Sequence, residues 1–521
     1  MTRYLYFLLT LGFLMLWSSC RKDFEFSPST GSLQFSKDTV YLDTVFTNIG
    51  SSTYNLKVYN NSNNDISIPS LRLALGDASN YRLSVDGLAG KTFENVEILA
   101  KDSLFIFVES TIDITNFPNP DGNYLYTDQI EFVAGSNLQK VELVTLVQDA
   151  IFIYPDRDDT TKVIETIKLN IDGEIVETDL QGRELRQNEL TFSNTKPYVI
   201  YGFAAVPENE ILTIEAGARL HFHDNSGIIV LDGASIHVDG ALSTNQELLE
   251  NEVIFEGDRL EPNFSDIPGQ WGTIWLFEGS IDNTFNYTTI KNSTIGILCD
   301  GNPNLATDKL TINNSQVYNS SSFGILGRNT SIKGENVVLN NSGLSSFAGT
   351  LGGKYNFTHS TIANYWNNSF RQFPALLLNN FVLDEDNNAT LADLTEANFN
   401  NCIIYGNENI EILLEEVEDE AVDYNFKFTN CLIRFRDTND EFIGPNYDFD
   451  NTNQYENNIF NEDPDFMDSD LNKLIIGEES TAINKGNTGF ASQVPLDILN
   501  VNRTASPDLG AYQHITFPKE E

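Results

Sequence analysis

Phe399-Asn400-Asn401-Cys402-Ile403-Ile404 recurs as Phe428-Thr429-Asn430-Cys431-Leu432-Ile433. Both obey one six-residue frame: apolar, any, any, small, any, then apolar or β-branched. The frame also fits Phe285…Thr288…Ile290, Ile312…Ser315…Val317 and Phe357…Ser360…Ile362, with a degenerate copy ending at Leu339. Its last position falls at 290, 317, 339, 362, 404 and 433, so the spacings are 27, 22, 23, 42 and 29, and 42 reads as two turns of 21. Repeats of that length with alternating inward side chains predict stacked coils. No coil can bury its apolar side alone, so neighbours must share one core.

The same text begins upstream. Ile211 to Glu215, Gly227 to Val230 and Ser235 to Asp239 are short apolar segments closed by Gly at close intervals. Strands this short gain little from a hairpin but stack well on a counterpart in the next coil. Asn doublets (Asn60-Asn61, Asn313-Asn314, Asn340-Asn341, Asn367-Asn368) add tight turns, because Asn tolerates left-handed backbone. Residues 31–150 read differently. About eight alternating strands are separated by turns such as Asn60 to Asn64, which predicts a β-sandwich, and their order resembles that of immunoglobulin-like domains. Between them, 151–195 reads as a connector with a hairpin around Asp172-Gly173, and 196–515 as the coiled region.

Net charge is −44, from 75 acidic and 31 basic residues. Such a surface repels nucleic-acid phosphates, so no nucleic-acid partner is expected. Arg3, the apolar run Tyr4 to Trp17, and Ser18-Ser19-Cys20 have the charge, length and small-residue end of an export signal over 1–20. Residues 21–30 follow as a polar tether. Cys299, Cys402 and Cys431 are the remaining cysteines, an odd number that argues against a disulfide framework.

Three stretches carry a family resemblance. The N-terminus resembles a bacterial lipoprotein signal, which implies lipidation of Cys20 and a membrane partner through that anchor. Trp17 stands where Leu is usual. Arg21-Lys22-Asp23 resembles the surface-export signal of Bacteroidetes lipoproteins, implying an outer-membrane, surface-exposed location. Pro268-Gly269-Gln270-Trp271-Gly272-Thr273-Ile274 resembles an element of bacterial right-handed parallel β-helix surface proteins. Asp463 to Asp468, Ser480 to Asn487, Asn502-Arg503 and Pro507 to Tyr512 resemble the C-terminal segment of choice-of-anchor Q proteins, where these motifs close the last coils. Gln513 departs from the acidic residue common there. The implied fold is all-β: a right-handed, single-stranded, pectate-lyase-like parallel β-helix behind the sandwich.

Function is less legible. β-helices include polysaccharide lyases and glycoside hydrolases, but no Gly-His-Gly or clustered aspartate motif is present, and no catalytic residue is assigned. A lyase base or acidic-ligand face would draw on Lys309, Arg328, Lys333 and Lys354, placed to project from one face of the middle coils. The same four also serve as ordinary solubilising residues. His221-Phe222-His223 has the spacing of paired metal ligands, or of exposed strand residues. Asp468-Ser469-Asp470-Leu471-Asn472 with Glu479 mimics a calcium loop, spoiled by Lys473 at the glycine position, so calcium is the one cofactor left open and no metal residue is assigned. Trp271, Trp275, Tyr365, Trp366, Phe370 and Phe373 supply either a sugar platform or core packing. Glu415 to Glu420 reads as a solvated loop. The expected role is non-catalytic binding or adhesion to glycans or surface partners along the β-helix face, with a carbohydrate-active lyase or hydrolase as the alternative.

Overall fold

The structure, a computed structural model, describes residues 25–518 apart from 32, 119–121, 135, 172 and 305. Cys20, the 1–20 segment and residues 21–24 lie outside the described residues. The chain is nearly all β, with 49% strand and 4% helix, and divides into two compact units, Met1–Asp149 and Ala150–Glu521.

The first unit has two sheets around one core. Tyr54–Tyr59, Ser103–Ser110 and Tyr81–Val85 form the centre of a five-stranded sheet. Ile66–Leu73, Asn123–Ala134 and Asn137–Gln148 form the centre of a six-stranded one. Alternation along each strand sends Leu56, Val58, Ile106 and Val108 of one sheet and Ile68, Leu71, Ile130 and Val141 of the other into the same cluster.

The second unit is built from parallel ladders. An eleven-stranded sheet forms one, and an eighteen-stranded sheet carries two more side by side. The chain visits them in fixed order, as with Arg219–Phe222, then Gly227–Val230, then Ser235–Asp239. Each strand pairs with its counterpart one coil later, for example Leu220 with Phe255, Ile228 with Ile274 and Val238 with Phe285. Phe323–Glu335 and Phe347–Thr358 run through the second and third ladders without a break. Residues 151–195, read above as a connector, already take part. Ile151–Ile153 opens the first ladder, and Thr191–Phe192 pairs into the third. Thr166–Ile171 and Glu174–Glu184 form an antiparallel hairpin.

The six-residue frame gives the register. Phe357, Phe399, Phe428 and Tyr455 occupy one slot and stack at 5.7, 5.1 and 5.6 Å with nearly parallel rings. Cys402 and Cys431 share the small-residue slot, adjacent to the Ile403–Leu432 pair, and both are buried and unbridged. Asn314 and Asn341, the second members of two doublets, have φ of 49° and 52°, the corner role expected of them. Their amides continue between coils: Asn341 Nδ2 donates to Asn319 Oδ1 at 2.7 Å and Asn336 Nδ2 to Asn314 Oδ1 at 2.8 Å. One spacing is corrected. Ile362 pairs directly with Ile404, so 42 residues make one coil, lengthened by an inserted hairpin of Phe381–Leu383 and Ala389–Leu391.

The outward faces of the three ladders differ in how they are covered. The C-terminal segment lies along the first, with Leu474, Ile498, Ala511 and Tyr512 packed on Val338 and Ala363, and Ile476, Ala482 and Leu509 on Ile403 and Leu432. Arg503, fully buried, donates to the carbonyls of Gly510 and Ala511 at 3.1 and 3.2 Å and to Asn336 Oδ1 at 2.9 Å. Asn500 reaches back to Tyr287 and Asn487 meets Asn401. The motifs expected to close the last coils therefore run back over many of them, because this ladder's outward residues are apolar and need cover.

Candidate ligand-binding faces

The second ladder turns an apolar row outward: Ala205, Ile229, Trp275, Leu298, Leu326, Ala348, Leu377 and Leu413, in register. Water is poor company for such a row, and two hairpins cover parts of it. The Thr166–Ile171/Glu174–Glu184 hairpin sets Ile167 and Leu169 against Ala205, Ile229 and Phe277. The hairpin inserted at 381–391 contributes Phe381, Val382 and Leu383 further along. Between them lies a cleft of 730 Å³ over Trp275, Phe323 and Leu326.

Its floor carries one ion pair. Arg328 Nε and Nη2 donate to the two carboxylate oxygens of Asp300, each at 2.5 Å, and Trp275 Nε1 donates to Asp300 Oδ2 at 2.7 Å. The hydrogen bonds to Asp300 hold the Arg328 guanidinium above its ordinary range. Beneath it, Lys309 is fully buried. Its ammonium donates to the carbonyls of Phe277 and Glu278 at 2.7 and 2.8 Å, and to that of Asp300. Burial lowers it to about 8 and raises the neighbouring Cys299 thiol to about 11.

The third ladder presents a polar row. Thr213, His237, Thr284, Thr311, Lys333, Asn356, Asn398 and Lys427 stand in register. All are partly or fully exposed. Neighbours hold one another: Lys333 pairs with Glu335 at 2.8 Å, Lys427 with Glu456 at 2.7 Å, and Asn398 Nδ2 donates to Asn356 Oδ1 at 2.9 Å.

The four cations expected on one face are thus divided. Arg328 lines the second-face cleft, and Lys333 is on the third. Lys354, two residues from Asn356 on the same side, pairs with Asp308 at 3.3 Å. Lys309 does not project at all, because three backbone carbonyls bind its ammonium inside the wall. The histidines are divided too. His221 is buried against the Gly257 carbonyl, while His223 Nδ1 meets Asp258 Oδ2 at 2.8 Å and its ring stacks on Tyr201. Among the described residues no group of three or more His, Cys, Asp or Glu is placed to hold a metal ion. The calcium-like loop is a hairpin turn, with Asp468 accepting from the Leu471 amide and Asn472 clasped by Asn340 and Asn319. Of the aromatic candidates, Trp271 is core, stacked on Phe222 at 4.4 Å. Trp366 is buried, Phe370 is exposed, and only Trp275 enters the cleft. Glu415 ends a strand, and Glu416 accepts from Asn446.

No protein-family model matches the chain, and no curated protein matches it in sequence. Among solved structures, a family 123 glycoside hydrolase from Clostridium perfringens, described for glycolipid glycan hydrolysis, is similar over 24% of this chain and 30% of its own, at 9% identity and a TM-score of 0.18. The major pilin subunit of Bacillus cereus is similar over 28% of this chain and 52% of its own, at 11% identity and a TM-score of 0.15. The chain thus spans about half or less of either protein. The catalytic domain of a family 87 α-1,3-glucanase, solved with tetrasaccharides, is similar over 73% and 81% respectively, at 11% identity and a TM-score of 0.20.

Proposed function

We propose that this chain is a lipid-anchored outer-membrane surface protein of the choice-of-anchor Q type, in which an immunoglobulin-like sandwich carries a right-handed parallel β-helix that binds glycans without turning them over. The observation that carries the binding reading is the third-face row from Thr213 to Lys427. Hydroxyl, amide, imidazole and ammonium groups recur there in register, and rungs of a sheet repeat every ~4.8 Å. A sugar chain presents hydroxyls at comparable intervals and gains affinity from many modest hydrogen bonds. The three lysines on or beside the row, Lys333, Lys354 and Lys427, are each paired with a carboxylate. With −44 on the whole chain, this favours neutral over acidic glycans. The non-catalytic reading is supported by the carboxylates themselves. Glu335 and Glu456 are held by lysines and Glu396 by Asn356, while Asp300 in the cleft is taken up by Arg328 and Trp275. Groups so engaged suit positioning better than proton transfer.

The test is a panel of immobilised neutral and uronide glycans, probed with protein lacking residues 1–20. Retention on a neutral glycan should weaken at least about tenfold, or ~1.4 kcal/mol, when Thr284→Tyr and Asn398→Tyr interrupt the row. Retention untouched by both changes refutes the face. Accumulating reducing ends or unsaturated uronide, lost on changing Lys333 or Lys354, replaces the binding reading with the carbohydrate-active enzyme.

A further inference from the structure

The second-face cleft is separate from the polar row and has different chemistry. An outward apolar row on a coil wall has to be covered, and the two hairpins cover it only in part. Around the gap, apolar side chains remain in water: Ile171 is 42% exposed, Val382 51% and Leu383 50%. Exposed apolar groups are ordinary when scattered, but these converge on one concavity. Hairpin residues wall it on two sides, and aromatic and branched side chains floor it. A volume of 730 Å³ lies within the ~300–1,000 Å³ of small-molecule sites.

Charge then restricts the occupant. Asp300 and Arg328 neutralise each other across two hydrogen bonds. Under the floor the Lys309 ammonium binds the Glu278 backbone carbonyl and interacts electrostatically with the exposed Glu278 carboxylate at the margin. The cleft is therefore balanced in charge on a chain of −44. An anionic ligand would leave water for a floor whose one cation, Arg328, is already paired with Asp300, which is costly in an apolar setting. The half-exposed Arg328 guanidinium spends Nε and Nη2 on Asp300 and still has N–H groups to offer a neutral acceptor.

We infer that this cleft binds an uncharged small molecule with a flat or branched apolar body, laid over Trp275, Phe323 and Leu326 between the hairpins, and one hydrogen-bonding end at Arg328. The hairpin residues Val382 and Leu383 close one side of it. The site does not depend on glycan recognition by the third face.

N-phenyl-1-naphthylamine is a neutral probe, and 8-anilinonaphthalene-1-sulfonate carries nearly the same body with a negative charge. Titrated into protein lacking residues 1–20, the neutral probe should bind saturably with one-to-one stoichiometry. The sulfonate should bind at least about tenfold more weakly. Val382→Asp and Leu383→Asp, both at half-exposed positions, should each weaken the neutral probe at least about tenfold, with the thermal midpoint unchanged. Phe370→Ser, at an exposed aromatic elsewhere, should leave it alone. Absence of saturable binding, equal binding by either Asp variant, or equal affinity for the sulfonate overturns the inference.

Discussion

Replacing Lys309 by Met isolates the cost of burying one ammonium group in the coil wall. The amine is fully buried and burial lowers it from its ordinary 10.5 to about 8. Below about pH 8 lysine is protonated in both folded and unfolded chains, and the folded state bears the full burial cost. Between about 8 and 10.5 the folded amine releases its proton while the unfolded chain keeps its own. The unfolded state then binds more protons, so stability rises with pH. Above 10.5 both are neutral and the cost is gone. The gap corresponds to about 3 kcal/mol, of which about 2 kcal/mol falls between roughly pH 7 and 9.5. The three carbonyl contacts favour the ammonium form, which makes that figure an upper bound.

Methionine is near lysine in size and does not titrate, so tyrosines and other lysines cancel when the two proteins are compared. It also leaves three carbonyls without their donor, at roughly 1–3 kcal/mol each for those that stay dry. Lys309→Met should therefore be the less stable protein at neutral pH, and the difference should widen by up to about 2 kcal/mol as pH rises to roughly 9.5. Urea unfolding followed by tryptophan emission reads this directly. Once residues 1–20 are removed, Trp271, Trp275 and Trp366 are the remaining tryptophans, all in the second unit. Stability curves that stay parallel across that pH range would refute the buried, lowered amine.

Cys20→Ser should abolish incorporation of labelled palmitate, and label that persists sinks the lipid anchor. Protein lacking residues 1–20 should show no fast-reacting thiol when native and three in denaturant without reductant, because Cys299, Cys402 and Cys431 are buried and unbridged; one thiol in denaturant would show that Cys402 and Cys431 are joined. Arg503→Met removes three charge-assisted hydrogen bonds under the C-terminal segment, so it should cost about 3 kcal/mol or more and speed amide exchange over 496–512; unchanged exchange there means the segment is held by apolar packing alone.

Much of the second unit is legible because its repeats constrain one another. The Phe slot at 357, 399 and 428 and the Ile slot at 362, 404 and 433 each require a neighbour of the same kind one coil away, and both pairings are present. Asparagine was informative for the same reason, since a left-handed corner with an amide that bonds its counterpart leaves few other residues acceptable. Cover was not legible. Whether Ala363 or Tyr405 faces solvent or a returning segment depends on where residues about 100 positions later lie, and no local pattern states that.

The cleft was hidden by the strength of the repeat itself. Two turns of 21 keep the period over these 42 residues and leave no room for the inserted hairpin that forms one wall. The other wall, Leu169 and Ile171, belongs to the segment that reads as a connector. Lys309 and Arg328 stand out in the sequence as cations of the middle repeats, but alternation alone cannot tell a lysine aimed at solvent from one whose ammonium is bound by three carbonyls. Asp300 shows what was needed. It follows Cys299 by one residue, and only the pairing of Asp300 with Arg328 in the next coil makes the two a single neutral floor. Departures from the repeat's period are therefore where specific chemistry is best sought, because the regular strands of the parallel sheets are already committed to building the core.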